Sequence, residues 1–463
     1  MNYDEVLKEI APTEMEKTKI IKTAEDIIDF INDVAVNENI NAQTKLVGSV
    51  AKGTWLSGSA DIDIFICFSL ETPINDLKEK GLYLAYKTSD QFNGVAEEHY
   101  ASHPYLTVNI SGYEVDIVPC YNIKSADQLK SAVDRTILHT NYILKNLTDD
   151  KKEEVRLLKT FMKSIGVYGS EFKVGGFAGY LCEMLILEYG TFENTLINAA
   201  NWVNGTMIDL EDYGTNNLFD DSLIAIDPTD MHRNVGAALT TEKMMEFIIG
   251  CRNFLKKPKI DYFNPLKENL DKNELLNSII ASFNDRESKT LLLSFDIPDI
   301  PADNLYPQIK KTAISLKEKL EDLGFKIINY GYWSNEIKIA IILLEFDTWA
   351  LSKYYTHEGP KIWNRKASND FLSLYGYKCY LEGEFWVLLK KRKIRNPQQF
   401  FQYFLTKNKI SILKIGKNLK ELIINTYKLN SLDDLLKNND YKDNMDFLNF
   451  LNDYLNPGQL LKR

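Results

Sequence analysis

Cysteine is scarce in this 463-residue chain, with five in all, at positions 67, 120, 182, 251 and 379. The number is odd and no two are close in sequence, so neither a disulfide framework nor a Cys-rich zinc knuckle fits. A reduced, cytoplasmic compartment is expected. Long apolar runs are missing too. The longest strongly apolar block, Ile339 to Leu344, is strand-sized. It falls far short of the roughly 18 residues that span a bilayer, so no membrane association is expected. The opening MNYDEVLKEI is acidic and amphipathic, unlike a signal peptide. No G-x-x-x-x-G-K-[ST] phosphate loop and no internal repeat occurs. With 44% hydrophobic and 26% charged residues, the chain is not collagen-like, mucin-like or largely disordered. Its length suggests roughly three domains.

What is present is unevenly spread. Residues 1–150 hold 13 Lys and Arg against 24 Asp and Glu, whereas residues 361–430 hold 15 against 4. An acidic front suits metal ions, and a basic later segment suits a polyanion. The basic segment also reads as no more than a solvated face.

Periodicity gives a mixed chain. Ile27, Ile28, Ile31 and Val34 predict a helix over 22–37. DIDIFICF at 61–68 alternates as a strand, and 107–119 reads as a hairpin turning at Ser111-Gly112. From about 126 to 260 the pattern is helical, with Thr148 as an N-cap and helices over Asp149–Ile165 and Phe177–Glu188. Residues 290–390 give the order β-α-β-β-α-β, the split βαβ arrangement. The tail from about 391 is helical and basic, then polar and Asn-rich.

The strongest chemical signal is Gly48-Ser49 followed by Asp61-Ile62-Asp63, with Asp116 on a later strand. Alternation puts Asp61 and Asp63 on one face. Two such carboxylates repel unless a cation lies between them. Mg²⁺ prefers hard oxygens and completes its shell with phosphate and water. Three convergent carboxylates could hold two Mg²⁺, one activating a hydroxyl and the other neutralising a triphosphate leaving group. Gly48 permits close approach of phosphate, which Ser49 and neighbouring N–H groups could cradle.

GSVAKGTWLSGSADIDIFICF resembles the signature of the polymerase-β-type nucleotidyltransferases. The closer resemblance is to the archaeal-type (class I) CCA-adding enzymes, the CCA tRNA nucleotidyltransferases. The similarity runs through ASHPY at 101–105, YEVDIVPCY at 113–121, SAVDRTILHTNYI at 131–143, the segment 154–183, IDPTDMHRNVGAAL at 226–239 and DNLYPQ at 303–308. The resemblance implies an α+β multidomain fold. A nucleotidyltransferase head would cover 1–140, a helical nucleotide-binding neck 141–265, a split-βαβ RNA-binding body 266–390 and a basic tail 391–463. It implies template-independent addition of C, C and A to the 3′ end of tRNA from CTP and ATP. The tRNA hydroxyl would attack the α-phosphate and pyrophosphate would leave, with two Mg²⁺ per site. It also implies a cytoplasmic homodimer.

By that resemblance Asp61, Asp63 and Asp116 are the catalytic, metal-holding carboxylates. Ser49, Lys52, His139, Lys159 and Tyr168 contact the triphosphate. Lys52 stands where a family member carries arginine, so the charge is kept and the bidentate fork is lost. Arg233 reads the base edge, with pairing to Asp227 or Asp230 as its plainer role. His103 is a weaker candidate for the tRNA end, and core packing explains it equally well. Lys390, Lys391, Arg392, Lys393 and Arg395 form a cationic cluster beside Trp363, Tyr375 and Trp386, which stack on bases or pack a core. A poly(A) polymerase or oligoadenylate synthetase would share the head but lack SAVDRT, GVYG and DP-x₄-RNV. An inactive RNA-binding head would lack a carboxylate. Nucleotidyl transfer to an antibiotic would leave the basic region without a role.

Overall fold

The alternation of DIDIFICF becomes a strand over Asp61–Phe68 in the computed structural model, which describes residues 1–100, 103–264 and 271–461. The chain divides into two compact units, 1–268 with 458–463, and 269–457.

The first unit opens with helices α1 (Asp4–Ile10) and α2 (Glu14–Asn37). A capping box between Thr13 and Glu16 starts α2. Strand β1 (Ala42–Val47), the short helix α3 (Gly48–Lys52), strand β2 (Asp61–Phe68) and helix α4 (Ile74–Gln91) follow. Strands β3 (Val95–Tyr100), β4 (Pro104–Ile110) and β5 (Tyr113–Tyr121) complete a sheet of order β1-β2-β5-β4-β3. Only the β2–β5 pair is parallel. Ser111 and Gly112 both take positive φ at the expected hairpin, as a two-residue turn of the right twist requires.

The two faces of β2 are buried differently. Ile62, Ile64 and Ile66 face the helices with Val115 and Ile117. Phe65 and Cys67 face the other way, packed with Val47, Val118, Cys120 and Ile137. That second face begins with Asp61 and Asp63, so it is acidic at its open end and apolar below. The cysteines, distant in sequence, meet here: Cys67 and Cys120 are in register, with Sγ atoms 3.5 Å apart as free thiols.

Helices α5 (Arg135–Asn146), α6 (Asp149–Ser164), α7 (Gly179–Tyr189) and α8 (Phe192–Ala199) follow in the same unit. Thr148 occupies the expected N-cap position, but its side chain makes no capping bond. The helical expectation for 126–260 needs correction. Strands β6 (Thr206–Ile208), β7 (Leu223–Asp227) and β8 (Asp230–Asn234) form a three-stranded sheet before helix α9 (Thr241–Lys256). The buried run LIAID carries no period, so helix and strand cannot be told apart there from sequence.

The second unit runs α10 (Lys272–Asp285), β9 (Lys289–Asp296), α11 (Ala302–Asp322), β10 (Ile327–Ser334) and β11 (Ile339–Phe346). Strands β12 (Tyr354–Lys361), β13 (Tyr380–Glu382) and β14 (Phe385–Lys391) flank α12 (Arg365–Tyr375). Helices α13 (Pro397–Phe404) and α14 (Lys420–Thr426), strand β15 (Lys428–Asn430), and helices α15 (Leu432–Leu435), α16 (Asn439–Lys442) and α17 (Met445–Leu455) complete it. The split β-α-β pairing holds for β9, α11 and β10, with β11 between the strands in the order β10-β11-β9-β15. The last strand of the expected motif, β14, instead joins two strands absent from that expectation, in a sheet of order β12-β14-β13. Burial explains the separation. Both faces of β11 are covered, one in each of two apolar clusters. The polar YYTHEGPK of β12 has no fully buried residue and cannot join such a layer.

Candidate active site

Parallel pairing of β2 with β5 puts Asp63 directly beside Asp116, both on the face that Asp61 shares. The three carboxylates predicted from sequence therefore come together at one end of the sheet. Asp61 is exposed, and Asp63 and Asp116 are half-buried. Burial, then Asp116, then Asp61 push the Asp63 carboxyl up to about 7, with Lys52 pulling the other way. Burial also raises Asp116, opposed by the Thr107 hydroxyl that donates to its Oδ1 at 2.5 Å. Burial raises Asp61 against the pull of Lys163. Among the described residues, no three Asp, Glu, His or Cys side chains form a ready-made metal cage. The cluster is crowded with negative charge and rich in hard oxygen donors, which suits a divalent cation that also takes oxygens from a substrate.

Gly48 stands over this cluster with φ +70°, and a Cβ built on it would lie 1.8 Å from Asp63 Oδ2. Its N–H donates to Thr140 Oγ1 at 3.3 Å, which ties α3 to α5. Ser49 follows at the start of α3, half-buried. Helix α6 clamps the loop beyond α3 by three backbone carbonyls. Arg156 donates to Gly53 O at 2.5 Å and Trp55 O at 3.0 Å, and Lys159 Nζ donates to Thr54 O at 3.1 Å.

Lys52 and Lys159 converge on a residue that sequence reasoning missed, Glu183 of α7. Lys52 Nζ lies 2.6 Å from Glu183 Oε2, Lys159 Nζ 3.8 Å from Oε1, and the Thr54 hydroxyl donates to Oε1 at 2.5 Å. All three charged groups are buried. Burial alone would raise the Glu183 carboxyl, yet Lys52 and Lys159 hold it below the ordinary range. Burial depresses Lys159. One carboxylate between two ammonium groups leaves a surplus positive charge. Tyr168 joins the group, since a Cβ built on Gly179 would lie 3.1 Å from its hydroxyl and 3.6 Å from Lys159 Nζ. Lys163, one helical turn beyond Lys159, sits over the Tyr168 ring at 5.4 Å and pulls on Asp61. An acid inside the apolar run LCEMLIL was the available signal for Glu183, and the i,i+4 spacing from Lys159 was the signal for Lys163.

Replacing Glu183 by glutamine keeps the shape and strands two buried cations. A loss of roughly 3–5 kcal/mol is expected, the usual cost of breaking a buried pair. Because the folded carboxyl titrates below its ordinary value of 4.5, the stabilisation is complete above that value and fades as pH falls through the folded one. Melting curves of the two proteins between pH 3 and 8 check both statements; equal midpoints at neutral pH would contradict them.

His139 and Arg233 meet on Asp227, a residue with no exposed surface. His139 Nε2 and Arg233 Nη1 each lie 2.8 Å from Asp227 Oδ2. Arg233 thus takes the carboxylate pairing that was its plainer role, while a third of its side chain stays exposed. Asp230 pairs instead with Arg135 at 3.2 Å. The His139 ring stacks on the Tyr180 ring at 4.0 Å, and Lys52 Nζ lies 5.8 Å from the Tyr180 ring. The SAVDRT segment is held by Asp134, whose carboxylate accepts from the N–H groups of Tyr121, Lys130 and Ser131.

His103 is 1% exposed, and neither ring nitrogen has a hydrogen-bond partner among the described residues. Its burial favours packing over contact with an RNA end. Ala101 and Ser102 of that motif lie outside the described residues. In the second unit the cationic cluster is partly committed to the fold. Arg392 donates to Leu323 O and Arg395 to Leu351 O, while Lys391 and Lys393 are exposed. Trp363 is 72% exposed, whereas Tyr375 and Trp386 are half-buried.

Comparison with known proteins adds three family matches. Residues 27–139 match the nucleotidyltransferase domain, residues 153–264 the second domain of tRNA nucleotidyltransferase, and residues 286–431 the C-terminal domain of CCA-adding enzyme. The CCA-adding enzyme of Methanothermobacter thermautotrophicus is 44% identical over 462 residues, covering 100% of this chain and 99% of that protein. That of Methanocaldococcus jannaschii is 37% identical over 80% of this chain and 83% of its own length. That of Archaeoglobus fulgidus is 32% identical over 94% and 97%.

Proposed function

The chain belongs to the CCA-adding enzyme family, and from that premise we propose that residues 1–140 and 141–265 form its nucleotide-transfer site. The activity is template-independent addition of C, C and A to the 3′ end of tRNA from CTP and ATP. The observation that carries the site is the register that sets Asp63 against Asp116 beneath Gly48, with Asp61 on the same face.

Asp61, Asp63 and Asp116 would hold divalent cations, and we propose two Mg²⁺ per site. When bound, they supply the positive charge that makes the 3′-hydroxyl a better nucleophile and pyrophosphate a better leaving group. The remaining work is positioning and neutralisation by side chains. The 3′-oxygen bonds to the α-phosphorus of CTP or ATP as the bond to pyrophosphate breaks. A carboxylate of the cluster is the acceptor for the hydroxyl proton. Gly48 admits the phosphate, and the Ser49 hydroxyl donates to it. The surplus charge of the Lys52–Glu183–Lys159 group receives the triphosphate, with Tyr168 donating its hydroxyl. His139 donates to a phosphate oxygen, and Arg233 presents its open edge to the base.

The second unit holds the rest of the tRNA through exposed Lys391 and Lys393, with Trp363 as a stacking surface. No helix among the described residues is long and apolar enough to cross a membrane. Free cysteines throughout support a cytoplasmic setting, and a homodimer is the state we propose.

Purified protein with Mg²⁺, CTP and ATP should extend a tRNA ending at the discriminator base by three nucleotides, resolved on a sequencing gel. A long ladder of A from ATP alone would favour a poly(A) polymerase and overturn the reading.

A further inference from the structure

Asp227 has a place in the molecule that neither catalysis by carboxylates nor binding of phosphate accounts for. It ends β7, and the Pro228-Thr229 turn brings the chain back along β8. Its two oxygens are used differently. Oδ1 accepts from the Thr229 N–H at 2.9 Å and hydroxyl at 2.8 Å, which fixes the carboxylate to its own turn. Oδ2 receives His139 Nε2 and Arg233 Nη1, each at 2.8 Å. Tyr180, from a third element, stacks on His139 and reaches Oδ1 at 3.4 Å.

We propose that Asp227 is the positioning residue for nucleotide selection, one carboxylate that fixes both the proton on His139 and the direction of the Arg233 fork. The proposal rests on the reading of His139 and Arg233 as nucleotide contacts. A carboxylate at Nε2 requires the proton there, so Nδ1 is the nitrogen left for phosphate. Nδ1 donates to phosphate only when the ring is an imidazolium, which the negative charge of Asp227 favours. The groups facing the ring are Asp227 and Arg233 from the hairpin, Tyr180 from α7 and Lys52 from α3. Arg233 spends Nη1 on Asp227, which removes the freedom of a long side chain and turns its other edge toward the base. A site that reads C and then A with no template needs that edge at one angle. Asp227 couples it to the residue that holds the phosphate.

The test is Asp227→Asn, which keeps shape and removes charge, measured beside His139→Ala and Arg233→Ala. For Asp227→Asn the nucleotide KM should rise about tenfold, the factor for one lost charge-assisted hydrogen bond. The CTP-to-ATP preference at each step should blur. Burial already depresses the imidazole, and removing Asp227 depresses it further, so the pH optimum should move to more acid values. The chain has five histidines, few enough for ring ¹⁵N shifts to report directly. His139 should carry its proton on Nε2 in the parent and lose that preference in the variant. If His139→Ala and Arg233→Ala impair selection while Asp227→Asn matches the parent in KM, preference, pH profile and tautomer, the proposal fails alone. If all three are silent, the reading of the nucleotide site fails with it. Should Asp227→Asn not fold, Thr229→Val decides. It loosens Oδ1 and keeps the charge, so preference should erode with the pH optimum unmoved, and an unchanged preference overturns the proposal.

Discussion

Asp63→Asn is expected to lower nucleotide addition by about a thousandfold or more, to leave tRNA affinity within about twofold, and to raise the melting temperature of the metal-free protein. The first effect follows from position. Asp63 lies between Asp61 on its own strand and Asp116 on the next. Losing one member of a group that acts as a unit costs nearly the whole function. The second follows because the carboxylate belongs to the proposed nucleotide site of the first unit, whereas the exposed basic side chains proposed to hold the tRNA belong to the second. The third has the opposite sign to most substitutions. The carboxyl titrates near 7 in the folded protein against an ordinary value of 3.8. The folded state therefore holds the proton more tightly, and its stability falls as pH rises from about 4 to 7 and then levels off. The charge costs roughly 3 kcal/mol above pH 7, after allowance for water reaching a half-buried group. Asparagine removes that cost. In chelator at pH 8 the variant should melt higher than the parent, and at pH 4 the two should converge. Excess Mg²⁺ should raise the parent's midpoint and leave the variant's nearly unmoved. A variant that melts lower at pH 8 without metal would show that the carboxylates do not repel one another, and the account of the cluster would fall.

Much of this arrangement was legible in the residues, and the parts that were not share a cause. Period-two alternation fixed the limits of β2 and the common face of Asp61 and Asp63. The positive-φ pair Ser111-Gly112 was readable as a turn. That β5 runs parallel beside β2, in the register joining Asp63 to Asp116, is a long-range pairing that no local pattern encodes. Glu183 escaped for a related reason. It is a buried acid whose role is set by cations far along the chain, at positions 52 and 159. Asp227 was legible as a partner for nearby Arg233, but its bond to His139, 88 residues away, was not. Sequence shows the acid and conceals the partners. The β-α-β-β-α-β order was legible except for the polar strand β12 and the short β13. It failed as a single sheet because sequence order does not say which strands share hydrogen bonds, and the fourth place went to β15 instead.

Gly48→Ala should be nearly as damaging to activity as losing Asp63, although it removes nothing. Two costs can be separated. Alanine at φ +70° carries about 1–2 kcal/mol of backbone strain. Its Cβ would also fall 1.8 Å from Asp63 Oδ2 and 2.7 Å from Cγ, distances at which atoms cannot coexist. Asp63 lies between β1 and β5, in register with Val47 and Asp116. Its carboxylate can yield only by turning away from its partners. The clash therefore breaks the acidic cluster while every charged residue remains present. Gly58 supplies the control. It has the same φ of +70°, and a Cβ there would meet nothing within 4 Å, so Gly58→Ala carries the strain alone. Gly58→Ala should lose a few degrees in melting temperature, and Gly48→Ala at least as much. Gly58→Ala should add CCA at close to the parental rate, and Gly48→Ala should fall by about a hundredfold or more, with tRNA affinity kept in both. Because the glycine's role is to leave room, its failure should not be rescued by raising nucleotide concentration, whereas weakened triphosphate binding would be. A Gly48→Ala protein active to within tenfold of the parent would mean that Asp63 works from a different rotamer, and that the close approach of α3 to the carboxylates is not part of catalysis.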